Sequence, residues 1–426
     1  MTYTLDHVRS LFGVLVILGI AWLFSAAKAR VPWRIVAIGV GLEIAIAAAM
    51  FALPPLRAIL AAASSAIDAL LAATLEGARF VYGHLAGGPA PFAITDPNSQ
   101  TVLAFGALQL IIVISALSAI LWRWGVLGLA CKGLGFVLRR TMGLNGPLAL
   151  STAANIFLGM VEAPLVIRPY LGRMSRSDLF VIMTTGLATI AGTVMAIYAT
   201  FLKSTQPDAA GHILVASFMA APGSIVIARM MQPQEAGEAD LADQEAPKLY
   251  RSTMDAFAKG VADGVQLLIA VVAMLLAAVA IVALGNMILA AILPPVGGAE
   301  VTIGRILGWL FAPLMWLIGV PWHDALPAGE LMGTKTALNE FLAYLDLGSR
   351  PAGFMEPRTR LMLVYGLCGF SNFASLAIMI GGLSALCPER RDDFADLGFR
   401  SLIAGTLTTL LGAALIGAVP IEWLRL

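Results

Sequence analysis

The chain has 426 residues, 59% hydrophobic and 12% charged, with a net charge of +1, and its mean hydropathy is +0.87. A soluble domain is about 45–50% apolar with glycine included and about 25% charged. A cytosolic enzyme, a disordered protein and a nucleic-acid binder with a basic face are therefore excluded. What remains is an all-α polytopic membrane protein embedded in a lipid bilayer. Cys131, Cys368 and Cys387 show no metal-ligand or CxxC spacing and the four histidines are scattered, which predicts small buried thiols and no metal cluster.

A helix needs about 20 apolar residues to cross a ~30 Å hydrocarbon core. Eight stretches meet that requirement: Leu11–Ala27, Ile35–Leu53, Thr101–Leu121, Asp178–Phe201, Gly211–Met231, Gly260–Ile292, Leu361–Leu386 and Leu397–Val419. The first runs into Lys28, Arg30 and Arg34 rather than a small-residue cleavage site, so it reads as a span and not as a removable signal. Glu43 falls inside the second and reads as a helix–helix contact. Ala58–Phe80, alanine-rich with Asp68 and Glu76, predicts an amphipathic helix lying at an interface.

Lys132 to Arg176 is basic at both ends, and its apolar interior is broken by Gly143, Asn145, Gly146, Pro147, Asn155 and Gly159. A crossing helix would strand one basic end outside, whereas a re-entrant hairpin returns both to the inner face. Gln232 to Glu245 is acidic and reads as a solvated loop. Val301–Val320 is interrupted by Arg305 and Pro313, with Trp309, Trp316 and Trp322 nearby, the mark of a helix at headgroup level. Trp322 to Arg360, with Pro327, Gly329 and Gly333, is a second broken segment. With both termini outside, the inner face collects the basic clusters around Lys28–Arg34, Arg123–Arg140, Arg168–Arg176, Lys248–Lys259 and Arg390–Arg400, as the positive-inside rule requires.

Broken backbone at membrane depth is tolerated where it is buried in protein or lines a cavity, so two broken hairpins from opposite faces imply a site between them. Each carries a carboxylate, Glu162 or Glu340. Each is followed by a span with polar groups, Thr184, Thr185, Thr189 and Thr193 in the first unit and Ser371, Asn372 and Ser375 in the second. This is the pattern of an inverted-repeat secondary transporter. A lone carboxylate at membrane depth faces a partner, water or a ligand. Lys335 is near enough in sequence to form a local ion pair with Glu340. Asn372 and Ser375, three apart, share a face if helical and suit two neighbouring sugar hydroxyls. Asn155, the carbonyls that follow it and Thr189 offer the oxygen ligands a hard cation takes; a threonine bonding its own helix is the plainer reading. No phosphate-binding lysine loop is present, so ATP-driven pumping is not expected, and no nucleophile–base pair indicates an enzyme. A passive channel or facilitator and a secondary transporter for another small polar solute are the alternatives.

Three stretches, GMVEAPLVIRPYLGRMSRSDLFVIMTTGLATIAGTVMAIYA, LMGTKTALNEFLAY and LCGFSNFASLAIMIGGL, resemble in order and spacing the concentrative nucleoside transporter family. The resemblance covers essentially the whole chain. It implies eight spans, two oppositely oriented re-entrant hairpins and interfacial helices. It further implies a homotrimer in the cytoplasmic (inner) membrane importing nucleosides with Na+ or H+ by an elevator movement. On this basis residues 1–125 and 232–320 would form a scaffold domain, and 126–231 and 321–426 the two halves of an inverted-repeat transport domain. Glu162 resembles the hairpin carboxylate on the base and ribose side. Glu340, Asn372 and Ser375 resemble the ribose binders, with Phe370 beside the base and Val194 lining its pocket. Asn155, the Leu158 carbonyl, Thr189 and the Ile190 carbonyl are similar to the family's Na+ site. The departure is at Met160 and Val161, where well-known members have Gln-Thr. Two apolar side chains make no hydrogen bonds to a base, so broad purine-and-pyrimidine acceptance, or a modified nucleoside, is expected, with specificity resting on ribose.

Overall fold

The computed structural model describes residues 3–93, 102–234, 249–298 and 300–424. Among them every regular element is helical. Most of the acidic run, from residue 235, and the Thr193 side chain lie outside the described residues.

The chain opens with α1 (Leu5–Leu23), α2 (Trp33–Ala52) and α3 (Pro54–Tyr82). Pro54 and Pro55 occupy the first turn of α3, where their missing N–H groups cost nothing. Next come α4 (Leu110–Arg123) and α5 (Val126–Met142). These meet at 73° across Gly125, whose φ of +82° suits glycine. The first broken segment is α6 (Gly146–Ala154), an irregular stretch, α7 (Glu162–Leu165) and α8 (Arg168–Leu171). It is followed by α9 (Arg176–Ala188), α10 (Gly192–Leu202), α11 (Ala209–Met231), α12 (Thr253–Ile292) and α13 (Ile303–Leu317). The second broken segment is α14 (Trp322–Ala337) and α15 (Glu340–Ser349), and α16 (Pro357–Leu367), α17 (Phe373–Leu386) and α18 (Arg391–Gly417) complete the fold.

Among the described residues, six helices are long and apolar enough to cross a membrane, or seven with the bent α4–α5 pair taken as one span. Five of the expected spans centre on the single helices α1, α2, α11, α12 and α18. Asp178–Phe201 is instead two helices, α9 and α10, parted at Thr189–Ala191, and Leu361–Leu386 is α16 and α17, parted at Cys368–Asn372. Apolar composition marks both as spans but does not reveal that their backbones come apart halfway. Ala58–Phe80 lies within α3, which has the length and apolar composition of a span.

Burial sorts the helices. The apolar windows of α11 and α18 are 89% and 78% buried, whereas that of α12 is not buried at all. The core is thus the bundle of α9, α11, α16 and α18, with α2 on α11 and α13 on α14. The long α12 lies outside it, against α4. Small residues permit that approach: a Cβ on Gly260 would meet the Ala116 Cα at 2.7 Å, and one on Gly264 the Ile112 Cα at 2.7 Å. Buried polar pins hold the core in register. Arg229 of α11 pairs with Asp178 of α9 at 2.6 Å and also bonds Ser177, while Asn145, the cap of α6, donates to Asp178 at 2.9 Å.

Candidate functional site

Four interruptions of helix converge. A broken helix exposes carbonyls at one lip and N–H groups at the other, so each break must find partners, and here they find one another. Phe157 O, in the first irregular stretch, accepts from Gly192 N at the start of α10 (3.3 Å), and Phe370 N donates to Thr189 O (3.3 Å). Ser371 Oγ donates to Leu187 O in the last turn of α9 (2.8 Å). Gly369, at φ +153°, makes this approach possible, because any Cβ there would stand 2.8 Å from Ala188 O.

The second lips are capped by amides. Asn339 Oδ1 accepts from Leu342 N (2.9 Å) at the start of α15, and Asn372 Oδ1 from Ser375 N (2.7 Å) at the start of α17. The remaining Nδ2 of Asn372 donates to Glu340 Oε2 (2.8 Å), and Tyr198 Oη donates to Glu340 Oε1 (2.7 Å). Glu340 is only 4% exposed and its carboxylate is fixed from both sides. Tyr198 is itself set by stacking on Tyr344 at 4.7 Å.

A cavity of about 300 Å³ opens against this junction. Among the expected binding residues, Leu158, Met160, Val161, Glu162, Val194, Glu340, Phe370 and Ser375 line it. Asn155, Thr189, Ile190 and Asn372 are buried behind its wall. The opposite wall comes from α4 and α12, including Ser115, Trp122, Asp263 and Leu267. Glu162, the first residue of α7, folds back over Gly159, where a Cβ would meet its carboxylate. Among the described residues no side chain hydrogen-bonds it. In the wall, Thr189 Oγ1 lies 2.9 Å from Thr185 O and 3.4 Å from Asn155 O, and Asn155 Oδ1 is buried with no hydrogen-bond partner.

Two sequence expectations need correcting. Lys335 makes no local pair with Glu340; its Nζ donates to Gly366 O (2.8 Å) and Thr409 Oγ1 (3.0 Å). The chain turns at Leu338 and Asn339, so α14 sends the lysine toward α16 and α18 while α15 presents Glu340 to the cavity. Asn372 and Ser375 do not share a helix face, because Asn372 precedes the helix and caps it. Tyr198, and the capping role of Asn339, escaped the sequence reading. Tyr198 lies four residues after Val194 on the same face of α10, the one periodic signal that pointed to it.

An ionised carboxylate has about four lone-pair sites, and the two bonds to Glu340 leave capacity for a ligand's hydroxyls. Phe157, Val161, Val194 and Phe370 offer apolar surface to a ring. Helical spans, breaks that converge and a largely apolar cavity with a few polar groups between them define a membrane transporter of the broken-helix class. Family models described as Na+ dependent nucleoside transporter N-terminus, Nucleoside recognition, and Na+ dependent nucleoside transporter C-terminus match residues 12–85, 104–205 and 212–417. The chain is 38% identical to the uncharacterized transporter YutK of Bacillus subtilis, over 96% of this chain and 98% of that one. It is 35% identical to the nucleoside permease NupC of Helicobacter pylori, over 96% of each. The structure of CNTnw in an inward-facing, substrate-bound state superposes with a TM-score of 0.87 at 36% identity, over 97% of both chains. The chain belongs to the concentrative nucleoside transporter family, whose members are transporters and permeases and not enzymes.

Proposed function

We propose that this protein is a cation-coupled symporter that imports nucleosides across the cytoplasmic (inner) membrane. The observation that carries the reading is the Glu340 carboxylate, buried, oriented by Tyr198 and Asn372 and facing an apolar cavity at the meeting of four helix breaks. Glu340 would accept from ribose hydroxyls, with Ser375 beside it and Asn372 holding the carboxylate in place. Glu162 would bind from the opposite hairpin, and the base would lie between Phe370, Val194 and the Met160–Val161 wall. That wall donates and accepts nothing, which supports broad base acceptance with discrimination resting on ribose.

The coupling ion is a second substrate. Asn155, the Leu158 and Ile190 carbonyls and Thr189 would hold Na+, and the unpartnered, buried Asn155 Oδ1 fits an oxygen-seeking ion. The exposed face of α12, packed on α4, supports a scaffold (1–125 and 232–320) joining three copies. The broken helices would belong to the moving domain (126–231 and 321–426), with the cavity between the two carried across by elevator displacement.

Purified protein in proteoliposomes should accumulate radiolabelled uridine and adenosine alike under an imposed Na+ gradient or an imposed pH gradient, applied separately. Equilibration that survives collapse of both gradients would mean a facilitator. Tight selection of one base class would refute the role given to Met160 and Val161. Glu340→Gln and Glu162→Gln each remove a charge-assisted acceptor, a loss of about 1.5–3 kcal/mol, so uptake should fall by about tenfold or more. Near-normal uptake in both variants would remove these residues from the site.

A further inference from the structure

Glu43 lies away from the cavity and from the proposed cation site, within α2, and is fully buried. Neither carboxyl oxygen has a hydrogen-bond partner among the described residues. Gly223 of α11 makes room for it, since a Cβ there would stand 2.7 Å from Glu43 Oε1. Gly39, one turn earlier on α2, lets the two helices approach, since a Cβ there would run into the Val226 side chain. The carboxyl therefore meets α11 beside Pro222, which lies inside that helix. Proline has no N–H, so the carbonyl of Phe218 is denied its helical donor. This seam is rich in acceptors and poor in donors. An ionised carboxylate there would find nothing to offset its desolvation, whereas a carboxylic acid brings one O–H that a carbonyl can accept.

No charged neighbour supplies the missing partner. On α11, Arg229 is tied to Asp178 and stands six residues past Gly223, about 9 Å along the axis, while His212 meets Tyr365. On α3, Asp68 pairs with Lys203, Glu76 with Arg79, and Arg57 sits in the first turn. α5 carries Cys131, Lys132, Arg139 and Arg140. On α18, Arg391, Asp392, Asp393 and Asp396 cluster near the start, and Arg400 bonds Phe24 O and Met231 O. Arg34 stands nine residues before Glu43 on α2, about 13 Å away along the axis. None of these bonds the Glu43 carboxyl.

We propose that Glu43 is an intramembrane proton-binding site, holding a proton while α2 is packed on the Pro222 turn of α11 and yielding it to water when that seam opens during transport. The O–H bond breaks toward the entering water, and the proton returns before the seam closes dry. Pro222 is the natural place for opening, because the helix lacks a backbone hydrogen bond there.

Infrared absorption spectra of the full-length protein at neutral pH, compared between wild type and variants, test the binding site directly. The wild type should show the carbonyl stretch of a protonated carboxyl that Glu43→Gln lacks and Glu43→Asp retains at a shifted position. Identical bands in wild type and Glu43→Gln would overturn the proposal. Release is read in proteoliposomes at fixed Na+, and this arm rests on the nucleoside reading. Wild-type uridine uptake should change by up to about tenfold per unit of imposed pH gradient, and Glu43→Gln should respond flatly while still using Na+. A Glu43→Gln response equal to the wild type's would overturn release. If neither protein takes up uridine, the nucleoside reading fails, while the infrared comparison still decides whether Glu43 holds a proton.

Discussion

Glu340 shows how a few polar side chains in an apolar chain are made useful. A carboxylate at membrane depth is costly unless oriented donors meet it, and here Tyr198 and Asn372 do so from helices distant in sequence. Tyr198→Phe keeps the stack on Tyr344 but leaves Glu340 Oε1 without its donor. We expect a stability loss of about 1–3 kcal/mol, read as a lower melting temperature, and roughly tenfold weaker nucleoside binding by calorimetry. Binding at wild-type strength would mean that Asn372 alone holds the carboxylate. The candidate carboxylates were legible in sequence because an acid in an apolar run stands out. Their partners were not: Tyr198 lies 142 residues from Glu340 and Lys335 reaches Thr409 across 74. No local pattern encodes such pairs, which is why the nearby lysine was the natural but wrong partner for Glu340.

At the scale of elements, the breaks matter more than the helices. Glycine, proline and asparagine marked the two broken segments from sequence, yet the breaks inside α9–α10 and α16–α17 fall within stretches apolar enough overall to read as single spans. Their signal lay in single residues whose meaning is tertiary. Gly369 is one, permitting backbone to pass against Ala188 O, and Ser371, satisfying Leu187 O, is another. Gly369→Ala should therefore do more harm than a methyl group suggests. The added Cβ would strain a left-handed backbone and press on a carbonyl at 2.8 Å, and such strain costs about 1–3 kcal/mol. The expected result is a lower melting temperature together with reduced uptake. A stable, fully active Gly369→Ala would show that the α16–α17 break does not need this close approach. Ser371→Ala, which only orphans a carbonyl, should cost about 1 kcal/mol and is the milder comparison.

For the whole molecule, the open point of arrangement is α3. Its 29 residues have the length and composition of a span, yet the charge distribution along the chain is met with eight spans and α3 lying at an interface. The Asp68–Lys203 ion pair, 2.6 Å long with both side chains about half exposed, favours the second arrangement. Asp68 is the midpoint of α3, so a crossing helix would hold it at the bilayer centre, where an acid is most costly. Lys203 immediately follows the last residue of α10, a half-helix that begins at the buried junction and ends at the surface, so the pair sits at a membrane face. Cys131, Cys368 and Cys387 are all buried, which leaves a quiet background for labelling. Single cysteines at Leu53 and Gly88, on either side of α3, should both react with an impermeant thiol reagent from the same, outer side of right-side-out vesicles. Reaction from opposite sides would mean that α3 crosses, and would invert the orientation assigned to every element after it.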